Sequence, residues 1–107
     1  MIISTLETAP GREIVEVLGI VRGSTVRARH LGHDILASLR NLVGGEVNDY
    51  TKMLAEAREQ AMDRMIADAN RVGADAVLEM RFMTSSVMQG AAEIVAYGTA
   101  VRLGPEN

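Results

Sequence analysis

The stretch from Tyr50 to Met80, YTKMLAEAREQAMDRMIADANRVGADAVLEM, constrains the fold more than any other part of the chain. Its apolar period changes from that of a helix to that of a strand across a single glycine, Gly73. Tyr50, Leu54, Ala57, Ala61, Met65, Asp68 and Val72 keep the three-and-four spacing that sets residues on one helical stripe. Only Asp68 interrupts the apolar character of that stripe. Met53, Met62, Ile66 and Ala69 widen it, so the helix is expected to bury a broad face. Glu56, Glu59, Asp63, Arg64 and Arg71 fall mostly outside and read as a solvated side. The spacing predicts a helix over Thr51–Val72, about 33 Å long at ~1.5 Å per residue. Asn48 or Asp49 is the expected cap, and Gly73 the left-handed stop.

Beyond Gly73 the period is two. Ala76, Leu78, Met80 and Phe82 are expected to face the helix, with Val77, Glu79, Arg81 and Met83 on the other side of a strand over Asp75–Met83. Thr84–Gly90 reads as a polar hairpin connection and Ala91–Leu103 as the last strand. There Ala92, Ile94, Ala96, Gly98 and Ala100 form a small-residue face on which a helix can sit closely. Glu93, Val95, Tyr97, Thr99, Val101 and Leu103 form the opposite face. Upstream, Ile2–Thr5 reads as a short edge strand and Ala9-Pro10-Gly11 as a turn. A long strand is expected over Glu13–Ala28, with Val15, Val17 and Val21 on one face and Ile14, Leu18 and Ile20 on the other. Gly19 and Gly23 mark bends, bulges or close backbone approach in it. Arg27–Asp34 is a polar connection. A shorter helix over Ile35–Val43 follows, capped by Asp34 and ended by Gly44-Gly45.

The order is strand, short helix, long helix, strand, strand. The long helix returns the chain so that its two flanking strands run parallel. The final hairpin lets the last strand slot between them. The expected fold class is therefore α+β: a split β-α-β-β two-layer subunit, its mixed sheet carrying a short and a long helix on one face. At 107 residues, one domain spanning 1–107 is expected. The other sheet face is expected to stay open, carrying Val77, Met83, Val95, Val101 and Leu103. An apolar face of that kind implies a partner, and the expected partner is another copy of the chain.

Composition narrows the function. Aromatics make up only 3% of the residues, so the core must be built from Met, Leu, Ile, Val and Ala. The net charge of −3 argues against a nucleic-acid binder. The chain has no cysteine, which excludes disulfides, thiolate metal sites and cysteine nucleophiles. MIISTLETAPG has neither a basic region nor a long apolar run, and no apolar run approaches the ~20 residues of a membrane span. A soluble cytoplasmic protein with no membrane partner is expected.

The best ligand constellation is His30, His33 and Asp34. On one helical turn these converge on a face that can hold a divalent metal ion. Read more plainly, the same residues make a polar loop with Asp34 as a helix cap. Glu79 and Arg81 sit on an otherwise apolar strand face, either at a subunit interface with Val95 and Val101, lining a pore, or as ordinary exposed charges. No nucleophile or acid–base set can be assembled, so catalytic residues are expected to be none and the chain is not expected to be an enzyme. No cofactor is expected, with a divalent metal ion as the alternative.

The segment LGIVRGSTVRARHLGHDILASLRNLVGGEVNDYTKMLAEAREQAMDRMIADANRVGADAV, followed by AYGTAV, resembles the YbjQ-like family of small uncharacterised bacterial and archaeal proteins. The resemblance covers nearly the whole chain. It is carried by Leu18-Gly19, the Asp34-to-Arg40 helix with Gly44-Gly45, Tyr50, Arg58 and Ala61, Gly73-Ala74, and Gly98-Thr99-Ala100-Val101. It implies a dodecin-like subunit assembled into a ring, a homopentamer or a stack of such rings, and no established reaction. It also brings the label of a heavy-metal-binding domain. This chain departs from that label, because soft metals prefer thiolates and it has none.

Overall fold

The computed structural model describes residues 1–28, 45–89 and 91–106. Strands β1 (Ile2–Ile3) and β2 (Ile14–Ala28) are followed by helix α1 (Gly45–Arg71) and strands β3 (Ala76–Met88) and β4 (Ala91–Leu103). The sheet order is β1-β3-β4-β2. β1 is parallel to β3, and β4 is antiparallel to both β3 and β2. β4 thus lies between two strands of the same direction, the split arrangement expected from the element order. The expected short helix over Ile35–Val43 lies outside the described residues.

Helix α1 begins earlier than its apolar stripe. Asn48 and Asp49, the expected caps, fall inside it. Extending a helix adds one hydrogen bond for each residue fixed, whereas starting one is costly, so a long helix readily recruits neighbouring residues. Its end matches expectation. Gly73 has φ +79°, its N–H donates to the Asn70 carbonyl (3.1 Å), and the Ala74 N–H donates to that of Ala69 (3.0 Å). This is a Schellman stop, with glycine where a side chain would be strained.

The helix lies on the sheet along Ala57, Ala61, Met65 and Ala69, four residues apart and fully buried. They pack with Val21, Val77, Met80, Ile94, Ala96 and Ala100. Small residues let the two layers nearly touch. A Cβ on Gly23 would collide with the backbone N of Met65 and the carbonyl O of Ala61. The expectation for the Ala92–Ala100 face of β4 is met here.

The alternation along the other strands is not what simple period-two reading predicts. Val15 and Leu18 are extra residues in β2 relative to β4, and Gly19 beside them has φ +112°. Each bulge resets the phase. Leu18 and Val21 therefore face the helix, while Ile14, Val17 and Ile20 face the opposite side. In β3, Glu79 and Met80 together oppose Gly98, with Glu79 at φ +53°. Ala76 and Leu78 lie away from the helix and Val77 toward it; past the bulge Met80 and Phe82 return to the helix side. Glycine at 98 makes room: a Cβ there would sit 3.0 Å from the Leu78 carbonyl O. β3 also continues through Thr84, Ser85 and Ser86 to Met88, since pairing with β4 satisfies their backbone groups.

The face away from the helix is half covered by the chain's own N-terminal segment. Ala9-Pro10-Gly11-Arg12 closes a type II turn, with Arg12 N–H on the Ala9 carbonyl (3.1 Å) and Gly11 at φ +80°. It seats Ala9 in a second cluster with Ala76, Leu78, Val101 and Leu103, and Ile14 packs against it. Val101 and Leu103 are therefore not part of an open face, being 1% and 7% exposed, and Val77 is turned to the helix side instead. What stays open on that face is Val17, Ile20 and Val26 of β2 and Met83, Met88 and Tyr97 of β3 and β4.

Gly23→Ala should force α1 away from β2, and Ala96→Leu should overpack the same seam. Each is expected to lower stability by about 1–3 kcal/mol in urea denaturation. Unchanged midpoints in both would mean that the two layers are not in close contact.

Candidate functional site

The row Gln60, Arg64, Asp68 climbs α1 in steps of four, beside the buried row, and looks onto the outer edge of β2. That edge would otherwise present unpaired backbone groups. Instead the Arg22 N–H donates to Asp68 Oδ2 (3.2 Å), and Arg64 Nη1 donates to the Ser24 carbonyl (2.6 Å). Arg27 Nη2 donates to Gln60 Oε1 (3.1 Å). One turn further on, Arg71 grips Asp68 Oδ1 through Nε (3.2 Å) and Nη2 (2.8 Å).

Between this row and the strand lies an open groove of about 860 Å³, lined by Ile20, Arg22, Arg64, Ala67, Asp68 and Arg71. A smaller hollow of about 450 Å³, lined by Arg22, Ser24, Met83, Glu93 and Val95, adjoins it through Arg22. Three arginines and one carboxylate line the larger groove, Arg22 from the sheet face away from the helix and Arg64 and Arg71 from α1. Asp68 is fully engaged. The hydrogen bond from Arg71, and after it the one from the Arg22 backbone, hold its carboxyl below the usual carboxylate range.

Asp68 is legible in the sequence only as a blemish in an apolar stripe, and Arg64 and Arg71 only as surface charges. Their common feature is the four-residue step from Gln60. That step flags a helix flank but gives no hint of what lies against it.

The residues singled out from the sequence are distributed differently. His30, His33 and Asp34 lie outside the described residues. Among the described residues no group of three or more His, Cys, Asp or Glu side chains is placed to hold a metal ion. The Glu79 N–H donates to the Leu6 carbonyl at the β3 bulge (2.9 Å). Arg81 Nη1 donates to the carbonyls of Thr5 (3.1 Å) and Met80 (2.9 Å), so both residues tie the N-terminal segment to the sheet. Val95 is half-buried beside Arg22 and Met83, and Val101 is buried beneath Ala9.

A carboxyl held low in the folded chain binds fewer protons than in the unfolded one. Asp68 therefore adds stability above the ordinary carboxylate range and loses it as pH falls through its lowered value. Asp68→Asn should be less stable than wild type at pH 7, and the difference should shrink below about pH 4. Thermal melts of both proteins across that range check this; a gap independent of pH would mean that Asp68 acts only by packing.

Three comparisons bear on the chain as a whole. A family model described as "Putative heavy-metal-binding", of the YbjQ type, matches residues 1–104. A UPF0145 protein of Methanosarcina acetivorans is 60% identical over 96% of this chain and 97% of its own length. Another, of Thermus thermophilus, is 62% identical over 98% and 92% respectively. The names of these relatives carry no reaction. A crystal structure of a Pediococcus pentosaceus protein of unknown function, from the DUF74 family, superimposes with TM-score 0.65 at 16% identity over 97% of this chain and 98% of that one. It shares the fold. No helix among the described residues is long and apolar enough to cross a membrane. By sequence, the chain belongs to the YbjQ-like UPF0145 family.

Proposed function

We propose that the protein is a cytoplasmic homo-oligomeric ring, a homopentamer or a stack of two, that binds a ligand or serves as a scaffold and is not an enzyme. The observation that carries this is the open half of the sheet. Ile20 is 78% exposed, Val17 65% and Met83 52%, and Val26, Met88 and Tyr97 share their face. The outer edge of β3 beyond Met80 is also without a strand partner among the described residues. An apolar face beside a free edge favours association. A contact between different surfaces of successive copies closes into a ring or runs on as a fibre, and closure keeps the protein soluble. The number five comes from the family resemblance. The chain carries no cysteine, which suits a compartment where disulfides do not form.

Metal binding is the second reading, favoured by the description of the matching family model. Its candidate ligands remain His30, His33 and Asp34. Neutral imidazole is the ligating form, so affinity should fall as pH drops through about 6.5.

Light scattering at micromolar concentration should give a mass near five or ten chains. Ile20→Glu and Met83→Glu should each lower it while leaving the circular dichroism spectrum folded. A wild-type protein that stays monomeric refutes the ring. For the metal reading, equilibrium dialysis against a panel of divalent ions should show binding that disappears when His30, His33 and Asp34 are all replaced by alanine. Retention in that variant moves the site elsewhere.

A further inference from the structure

We infer that the groove between α1 and the β2 edge binds a phosphorylated small molecule, with the phosphoryl group held by Arg22, Arg64 and Arg71. The inference rests on one part of the reading above, that the protein binds a ligand. It does not rest on ring closure.

Charge is the first argument. The chain as a whole is acidic, with net charge −3. Yet this one groove is lined by three arginines and a single carboxylate, that of Asp68, with Arg22 reaching it from the face of the sheet away from the helix. The local excess matches a dianion such as a phosphate monoester. Donor geometry is the second. A guanidinium offers five N–H donors in a planar fork. Arg64 spends Nη1 on the Ser24 carbonyl, and Arg71 spends Nε and Nη2 on Asp68. Nε and Nη2 of Arg64, Nη1 of Arg71 and the whole guanidinium of Arg22 have no protein partner among the described residues. The engaged atoms anchor the side chains and the others are left for an oxyanion. Arginine forks suit phosphoryl oxygens well. Anchoring also lowers the conformational entropy lost on binding.

Size and lining are the third argument. At about 860 Å³ the groove is in the range of small-molecule sites. Ile20 and Ala67 give it an apolar flank beside the cationic one, so an organic phosphate fits better than a bare ion. Asp68 is a positioning residue: it holds Arg71 in place and is itself saturated by the Arg22 N–H.

The test uses the full chain in phosphate-free buffer at low salt. Isothermal titration with pyrophosphate should show saturable binding at one site per chain. Inorganic phosphate should bind more weakly, and malonate, as a carboxylate probe, more weakly than pyrophosphate. Arg22→Gln and Arg64→Gln should each weaken pyrophosphate at least tenfold, whereas Arg58→Gln, an exposed helix arginine outside the groove, should leave it unchanged. Melting curves verify that the variants are folded, and light scattering on the same samples reads the assembly separately. Absence of binding, equal loss in Arg58→Gln, or tighter binding of malonate overturns the inference. So does a fall in oligomer mass in Arg22→Gln and Arg64→Gln with pyrophosphate affinity intact, which would assign the arginines to a neighbouring copy.

Discussion

Everything in this subunit depends on how closely one helix can approach one strand. At Gly23 the sheet has no side chain, and α1 presents Ala57, Ala61, Met65 and Ala69 there. Only backbone separates the layers at that point. Because they lie so close, residues on the flank of the buried row reach past the sheet's edge without leaving the helix. Gln60, Arg64 and Asp68 can therefore meet β2 through hydrogen bonds of 2.6 to 3.2 Å. A larger residue at position 23 would lift the helix and open those bonds together with the core, so packing and the polar edge are a single feature.

The bulges have an equally broad effect. A regular strand has one buried face and one open face. By inserting Val15, Leu18 and the Glu79–Met80 pair, β2 and β3 change faces along their length. One end of the sheet then buries Ala76, Leu78, Val101 and Leu103 on the side away from the helix, and the N-terminal segment supplies Ala9 as their cover. The bulge at Glu79 also turns backbone donors outward: the N–H groups of Glu79 and Met80 reach the carbonyls of Leu6 and Ser4. The same irregularity makes the second core and binds the segment that closes it.

The sequence conveyed elements better than faces. Helical period, the Gly73 stop, the Ala9-Pro10-Gly11 turn and the small-residue row of β4 are local signals, and each appears where its residues place it. The position of β4 between β2 and β3 followed from element order. The direction of Val77 and Leu78 did not, because a bulge depends on what the partner strand can accommodate, here Gly98, which lies far away in sequence. The groove was illegible for a similar reason. Arg22 belongs to a strand and Arg64 and Arg71 to a helix, and nothing local connects them. Asp68 came nearest to being a signal: a carboxylate in an apolar stripe has to find donors, and it finds them in Arg71 and the β2 edge.

The two edges of the sheet are treated differently, and this bears on where association and binding can occur. Two groups in the middle of the β2 edge are engaged from within the chain, since Asp68 takes the Arg22 N–H and Arg64 donates to the Ser24 carbonyl. A strand from another copy could not form a continuous ladder there without breaking both. The β3 edge beyond Met80 has no such guard among the described residues, and Met83 and Met88 beside it are exposed. Side-chain capping of an edge is a means of blocking strand addition. It bars strand addition along the middle of β2, while Ile20 and Arg22 of the same strand line the groove from the open face of the sheet. A strand edge occupied in this way, with Arg64 and Arg71 anchored beside it, suits a small anion better than another strand.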